Sequence, residues 1–174
     1  MKSRWFTAIL LSALCITQVT AQANPDLDKL AEKLTRHIES QMPGWSHKRV
    51  EPFMNSPSVL VEKWSFPNKG VMIQIVSHKS GQDAREALRE FVQYDRQKEQ
   101  LKGLGEEAYA WGYGLANIAF VRGKFIVYTS SSAAVEDSVA RSLTQIERVE
   151  HEQSEMRRLS REFARHVSNA IDQP

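Results

Sequence analysis

Two short polar turns between strand-like runs constrain this fold more than any other feature of the sequence. The turns are Pro67-Asn68-Lys69-Gly70 and Arg122-Gly123. The runs on either side are rich in β-branched and aromatic residues, a pattern that predicts β-hairpins. The predicted hairpin strands are Val59–Phe66 and Val71–His78 in the first half, and Leu115–Val121 and Lys124–Ser130 in the second.

A further strand candidate precedes each hairpin, and a helical pattern follows it. The added strands are Ser46–Phe53 and Glu106–Trp111. Ser80 and Asp83 resemble a capping box at the start of one helix, and the other begins near Ala133. Helices that follow runs of hairpin-linked strands are typical of α+β folds. We therefore predict a six-stranded, mainly antiparallel sheet built from two βββα halves, with the helices packed on one face.

The chain ahead of the first strand predicts an amphipathic helix. Asn24 is a favourable N-cap, and Pro25 fits the first helical turn, where a missing N–H costs nothing. The apolar positions that follow share one helical stripe, namely Leu27, Leu30, Leu34 and Ile38. Met42-Pro43-Gly44 ends the pattern.

The C-terminal region predicts one long helix, because Ala133–Ile171 contains neither Pro nor Gly. Residues at seven-residue spacing keep a seam facing a partner helix. The candidate interaction seam consists of Val149, Met156 and Phe163, which recur every seven residues, together with Val167 from a second seam beside them. We expect this helix either to contact a protein partner or a second copy of the chain, or to pack back on its own domain, or to fray.

The N-terminus has the pattern of a secretory signal peptide. Lys2 and Arg4 precede an apolar run that is too short to span a bilayer, and Ala21-Gln22-Ala23 supplies small residues for cleavage. We predict a signal peptide at 1–23, an α+β domain at 24–150 and a helical extension at 151–174. The expected location is the bacterial periplasm or the extracellular medium, with no stable membrane span after signal removal.

Charge and cysteine content narrow the range of partners. Cys15, the single cysteine, lies in the predicted signal, so the mature chain would have no disulfide. The whole chain has 23 Lys and Arg residues and 21 Asp and Glu residues. Because Lys2 and Arg4 would leave with the signal, the mature chain would have equal numbers of basic and acidic residues. Nucleic-acid binding depends on a basic face that neutralises phosphates. We therefore expect no nucleic-acid partner.

Candidate catalytic and metal-binding residues have structural explanations. The five histidines are not spaced for a zinc site, so we predict no metal and no cofactor. Ser130-Ser131-Ser132 follows a strand and precedes a helix, but a nucleophile elbow requires glycine on both sides of the serine. A secreted serine hydrolase at Ser130–Ser132 remains an alternative, and so does a purely structural envelope protein.

Aromatic residues supply the candidate binding residues. These are Trp64 and Phe66 in the first half, and Tyr109, Trp111 and Tyr113 in the second. The runs Val71–Val76 and Phe125–Tyr128 are apolar at consecutive positions, and so on both faces. They are either central strands covered on both sides, or strands that offer an apolar groove to a ligand or a partner.

One segment carries a resemblance to other proteins. Gly103-Leu104-Gly105-Glu106-Glu107-Ala108-Tyr109 precedes the second hairpin, which ends in Val121-Arg122-Gly123-Lys124-Phe125. The segment is similar to small exported bacterial α+β domains, including sensor-like and lipoprotein modules with a Gly-x-Gly-Glu-Glu-Ala-Tyr strand entry. The resemblance implies a strand entry and a hairpin within a curved antiparallel sheet, and it carries no catalytic residue. We expect a non-enzymatic exported module that binds a protein partner or an apolar ligand.

Overall fold

The computed structural model describes residues 24–172, so the predicted signal peptide at 1–23 lies outside the described residues. The helices are α1 (Pro25–Gln41), α2 (Gly81–Val92), α3 (Asp137–Ala140) and α4 (Gln145–Asp172). The strands are β1 (Ser46–Val50), β2 (Val59–Phe66), β3 (Lys69–Ser77), β4 (Glu99–Leu101), β5 (Glu107–Trp111), β6 (Asn117–Arg122) and β7 (Phe125–Ala133). None of the helices within 24–172 is long and apolar enough to cross a membrane.

The α+β class and the antiparallel sheet are confirmed. All seven strands form one sheet in the order β1-β2-β3-β7-β6-β5-β4, and every neighbouring pair is antiparallel. The two halves meet at the centre, where β3 pairs with β7 along its full length, from Lys69 opposite Ala133 to Ser77 opposite Phe125. The most apolar strands of the sequence therefore occupy the middle of the sheet.

One face of the sheet is covered by α1 and α4. Asn24 caps α1 by accepting a hydrogen bond from the N–H of Asp26 at 3.2 Å, as predicted. The predicted apolar stripe of α1 is buried. From α4, Leu159, Phe163 and Val167 enter the same core, where they meet residues of the five central strands. This face is closed.

The other face carries α2, which corrects the prediction that all helices pack on one face. Ser80 caps α2 by accepting from the N–H of Asp83 at 3.1 Å, as predicted. The buried residues of α2 pack in a separate core against residues of β6 and β7, namely Ala119, Val121 and Ile126. Successive residues of a strand point to opposite faces, so apolar central strands require cover on both sides.

The sheet has seven strands, so the predicted six is wrong. The strand that the prediction omits is β4, which has three residues and pairs with β5 at the edge of the sheet. Its residues, Glu99-Gln100-Leu101, are exposed or half-buried. They form a strand through backbone hydrogen bonds to a neighbour, and they show no strand-like pattern of side chains.

The long C-terminal helix is confirmed, but it begins later than Ala133. Residues Ser130–Ala133 extend β7, because they pair with the start of β3. The helix α4 begins at Gln145 after the short α3. Thr144 and Glu147 form the capping box: the N–H of Thr144 donates to the Glu147 carboxylate at 2.8 Å, and the N–H of Glu147 donates to the Thr144 hydroxyl at 3.3 Å.

In the segment ahead of β5, the backbone at Gly105 lies so close to the backbone of Val121 on β6 that only glycine fits. Gly105 has φ +58, and a Cβ atom at this position would lie 2.1 Å from the carbonyl oxygen of Val121. Gly103 also has positive φ, at +73, but a Cβ atom there would have no other atom within 4 Å. The contact fixes the entry of β5 against β6, since the N–H of Glu106 donates to the same Val121 oxygen at 2.9 Å.

Candidate ligand-binding cleft

The α2 face of the sheet is only partly covered. The helix lies over the ends of β6 and β7, and the opposite part of this face remains open. Met72 on β3 is 48 % exposed, and Phe91 on α2 is 54 % exposed. Contiguous exposed apolar patches are typical of recognition surfaces, so this part of the face is the candidate site.

The antiparallel register arranges the open part of this face into cross-strand rows. Met72 lies opposite Ser130, Ser130 lies opposite Asn117, and Asn117 lies opposite Trp111. Directly opposed residues of an antiparallel pair have Cβ atoms about 4.5–5.5 Å apart. Four consecutive strands therefore present one continuous row of side chains to the same side.

A second row runs beside the first. Gln74 lies opposite Tyr128, Tyr128 opposite Ala119, and Ala119 opposite Tyr109. Ala119 is small, and the ring of Phe91 on α2 contacts an aromatic residue of each row. The Phe91 ring lies 5.1 Å from the Tyr128 ring, edge-on at 71°. Phe91, Trp111 and Tyr128 thus form an aromatic wall.

The aromatic wall and the two rows of side chains border an open cleft of about 330 Å³. The lining residues are Met72, Gln74, Val76, Phe91, Trp111, Asn117, Tyr128, Thr129 and Ser130. The apolar groups form one wall and part of the floor, and the amides of Gln74 and Asn117 and the hydroxyl of Ser130 supply hydrogen-bonding groups. Ligand pockets commonly combine a mostly apolar lining with a few polar groups.

The lining of the cleft carries no formal charge, and Arg89 and Glu107 beside it are paired with each other. Arg89 donates two hydrogen bonds to Glu107 Oε2, from Nη2 at 2.8 Å and from Nε at 3.0 Å, and these lower the pKa of Glu107. The hydroxyl of Tyr109 donates to Glu107 at 2.8 Å, which raises the pKa of Tyr109. Burial raises the pKa of Tyr128, so this phenol stays neutral at ordinary pH. The cleft suits an uncharged group.

Of the five predicted aromatic binding residues, only Trp111 lines the cleft. Trp64 is fully buried on the opposite face, where its ring contacts Phe163 and His47. Phe66 lies near Trp45, away from the cleft. Trp64 and Phe66 were predicted as binding residues, and the structure places both away from the cleft: Trp64 is buried in the core beneath α4.

The remaining predicted aromatics lie beside the cleft or away from it. Tyr109 shares the cleft face, but its hydroxyl is engaged by Glu107. Tyr113 is 60 % exposed in the short turn after β5. The prediction missed Met72, Phe91 and Tyr128. For Met72 and Tyr128 the signal was present in the apolar residues of β3 and β7, which marked strands with two apolar faces.

The predicted interaction seam of the C-terminal helix faces its own domain. Phe163 and Val167 are fully buried in the core, and the Phe163 ring lies 4.9 Å from the Trp45 ring, edge-on at 63°. Val149 and Met156 are half-buried. Phe163 and Val167 are therefore not available to a partner, which corrects this part of the seam.

Of the three residues in the serine tract, Ser131 is bonded to α4. The hydroxyl of Ser131 donates to the carbonyl of Met156 at 2.6 Å and accepts from the hydroxyl of Ser160 at 2.8 Å. Within residues 24–172, no histidine hydrogen-bonds to Ser130, Ser131 or Ser132. A nucleophilic serine needs a general base within hydrogen-bond reach. Ser131 as folded attaches α4 to β7, and Ser130 faces the cleft.

No metal-binding cluster of three or more His, Cys, Asp or Glu side chains occurs in the described part of the chain. No protein-family model, curated protein or solved structure matches this sequence. Function is therefore inferred from the geometry of the chain itself.

Proposed function

We propose that this protein is an exported, non-enzymatic binding module that holds an uncharged, largely apolar group in the cleft on the α2 face. The observation that supports the proposal most directly is the exposed aromatic wall beside Met72 on the sheet. A folded domain has no packing reason to leave Phe91 and Met72 in water while an adjacent cleft stays open.

The size of the cleft limits the ligand. Ligand pockets span about 300–1,000 Å³, and a cleft of about 330 Å³ is at the lower end of that range. The volume suits one aromatic or branched apolar group with a hydrogen-bonding substituent. Such a group is either a small apolar ligand or an anchor side chain of a protein partner, because partner anchors fill pockets of this kind.

Export is the proposed setting because of the N-terminal pattern of charge, apolar run and small residues. Mass spectrometry of the protein secreted by a bacterial host tests this part separately. We expect a mature N-terminus at Asn24. Retention of residues 1–23 in the isolated protein would contradict it.

The binding proposal is tested by filling the cleft. Ser130→Trp places a large side chain on the cleft floor, and Ser40→Trp places the same side chain at an exposed position on α1, on the other side of the sheet. We would titrate each variant with Nile red, an uncharged dye whose fluorescence rises in apolar surroundings. We expect enhancement with the parent protein and with Ser40→Trp, and its loss with Ser130→Trp.

Two results would contradict the proposal. One is a folded parent protein that gives no fluorescence enhancement. The other is equal enhancement in the Ser130→Trp and Ser40→Trp variants, since the probe would then occupy another surface. Circular dichroism of both variants shows whether each retains the fold.

A further inference from the structure

A basic stripe runs along the outer side of α4, away from the cleft. Arg157, Arg161 and Arg165 recur every fourth residue and therefore lie on one side of the helix, about 6 Å apart along its axis. Lys102, in the loop after β4, lines a small cavity together with the last two of these arginines. We define these four residues as the basic stripe.

The charges of the basic stripe are poorly compensated. Among residues 24–172, Arg165, Arg157 and Lys102 have no ion pair, although the Nε of Arg157 donates to the carbonyl of Gly114 at 3.1 Å. Arg161 has one long contact, 3.5 Å to the exposed Glu99. By contrast, the neighbouring Arg158 is bonded to two carboxylates. Those partners are Glu155 at 2.8 Å and Glu162 at 2.7 Å.

The stripe borders two depressions that share Arg161 and Arg165. A small cavity of about 100 Å³ is lined by Leu101, Lys102, Gly103, Leu104, Arg161 and Arg165. A groove of about 440 Å³ runs along the helix past Arg157, and its lining also includes Ser154, Arg158 and Glu162. Glu162 is paired with Arg158, and the small cavity has three cationic side chains and no carboxylate in its lining.

Arg161 also has an unused donor. Its Nε is buried and has no hydrogen-bond partner in the described residues. A buried donor without a partner carries a desolvation cost that a bound acceptor removes. The planar guanidinium binds phosphate, sulfate and carboxylate groups through two parallel hydrogen bonds, which gives an anion at this position both energy and orientation.

We propose that the basic stripe binds a ligand with two or more oxyanion groups, one in the small cavity against Lys102, Arg161 and Arg165 and the next along the groove at Arg157. This site is independent of the apolar cleft, because it lies on α4 and the cleft is formed by α2 and the opposite face of the sheet. Its ligand class is a linear polyanion, with the oxyanion either free or carried on a lipid headgroup.

Inorganic phosphate and tripolyphosphate are suitable probes for calorimetric titration of the full chain. We expect tripolyphosphate to bind at least about tenfold more tightly than phosphate, because it also reaches Arg157. Arg165→Gln should weaken both probes by about tenfold or more, and Arg157→Gln should weaken tripolyphosphate alone. Binding of both probes should weaken as salt rises.

The controls distinguish binding at the basic stripe from an effect of net charge and from a loss of the folded structure. Arg141→Gln removes one exposed positive charge outside the stripe, and it should leave both affinities unchanged. Arg165 is exposed and unpaired, so its substitution should leave the circular dichroism spectrum unchanged. A second experiment measures binding to vesicles with and without phosphatidylglycerol. If the parent chain binds the phosphatidylglycerol vesicles and Arg165→Gln does not, the oxyanion belongs to a lipid headgroup.

Three outcomes would overturn the proposal. The first is the absence of binding to phosphate, to tripolyphosphate and to the anionic vesicles. The second is an equal loss of affinity in Arg141→Gln and Arg165→Gln, since binding would then follow net charge. The third is tripolyphosphate binding that neither Arg157→Gln nor Arg165→Gln weakens.

Discussion

The ring of Phe91 stands edge-on to the ring of Trp111, with 5.5 Å between the ring centroids and 72° between the ring planes. The contact joins α2 to β5, and it sets the height of the cleft wall above the sheet. Because the pair lies at the boundary between the closed and the open parts of this face, it determines how much of the Trp111 indole meets solvent.

Removal of the Phe91 ring should therefore expose Trp111. In Phe91→Ala, we expect broadening of the Trp111 indole signal by a soluble paramagnetic agent in NMR spectra to increase. The signal of the fully buried Trp64 is an internal control and should not change. The stability cost should be at most about 1.5 kcal/mol, as for partly exposed aromatic pairs. An unchanged Trp111 signal would show that Phe91 does not shield the cleft.

Phe163 should be far more important for stability than Phe91. Its side chain is fully buried between α4 and the sheet, beside Trp45 and Trp64. Phe163→Ala should lower the free energy of unfolding by about 3–5 kcal/mol in urea denaturation, the usual cost of deleting a buried aromatic ring. Phe91→Ala is the matched control. Similar costs in the two variants would contradict the docking of α4 on its own domain.

Glu62 should make stability dependent on pH. Its side chain is buried, it contacts the imidazole of His47, and burial raises its pKa from 4.5 to about 7. The folded state then holds this proton more tightly than the unfolded state, so stability decreases as pH rises from 4.5 to about 7. Burial lowers the pKa of His47, and this acts in the opposite direction.

Comparison with Glu62→Gln isolates the contribution of the carboxyl group, because the amide has the same shape and does not titrate. The two proteins should be nearly equally stable at pH 4. As pH rises, the variant should become more stable than the parent, by about 3 kcal/mol in the free energy of unfolding at pH 8. Urea denaturation of both proteins between pH 4 and pH 8 measures this difference. A difference that stays constant with pH would exclude titration of Glu62 as its source.

Gly105 and Gly103 provide a matched pair of glycine substitutions. Both have positive φ, so alanine is strained at either position. Only at Gly105 would the new methyl group also collide with the backbone of Val121. We expect Gly103→Ala to cost about 1 kcal/mol and Gly105→Ala clearly more, in thermal or urea denaturation. Equal costs would mean that the backbone of Val121 leaves room for a methyl group at Gly105.

Local sequence signals predicted most of the individual elements. The cap at Asn24, the apolar stripe of α1 and the cap at Ser80 depend on residues close together in the chain, and all are confirmed. The elements that escaped prediction depend on distant partners. Strand β4 and the end of β7 are held by backbone pairing to other strands, which leaves no pattern in their own side chains.

The candidate site was predictable only in part. Consecutive apolar residues in β3 and β7 correctly marked central strands with two apolar faces. They did not reveal which face α2 would cover, or how far. Trp64 and Trp111 are each followed by an aromatic residue two positions later, yet the folded chain buries the first beside α4 and places the second at the cleft.

By itself, the sequence determined the helices, the hairpins and the α+β class, because caps, turns and apolar spacing act between residues a few positions apart. Only the tertiary structure decided which helix covers which face, where the sheet remains open, and that Arg161 and Arg165 meet Lys102. The physical reason is that these relationships join segments far apart in the chain. They follow from the packing of whole faces, and no local pattern of residues records them.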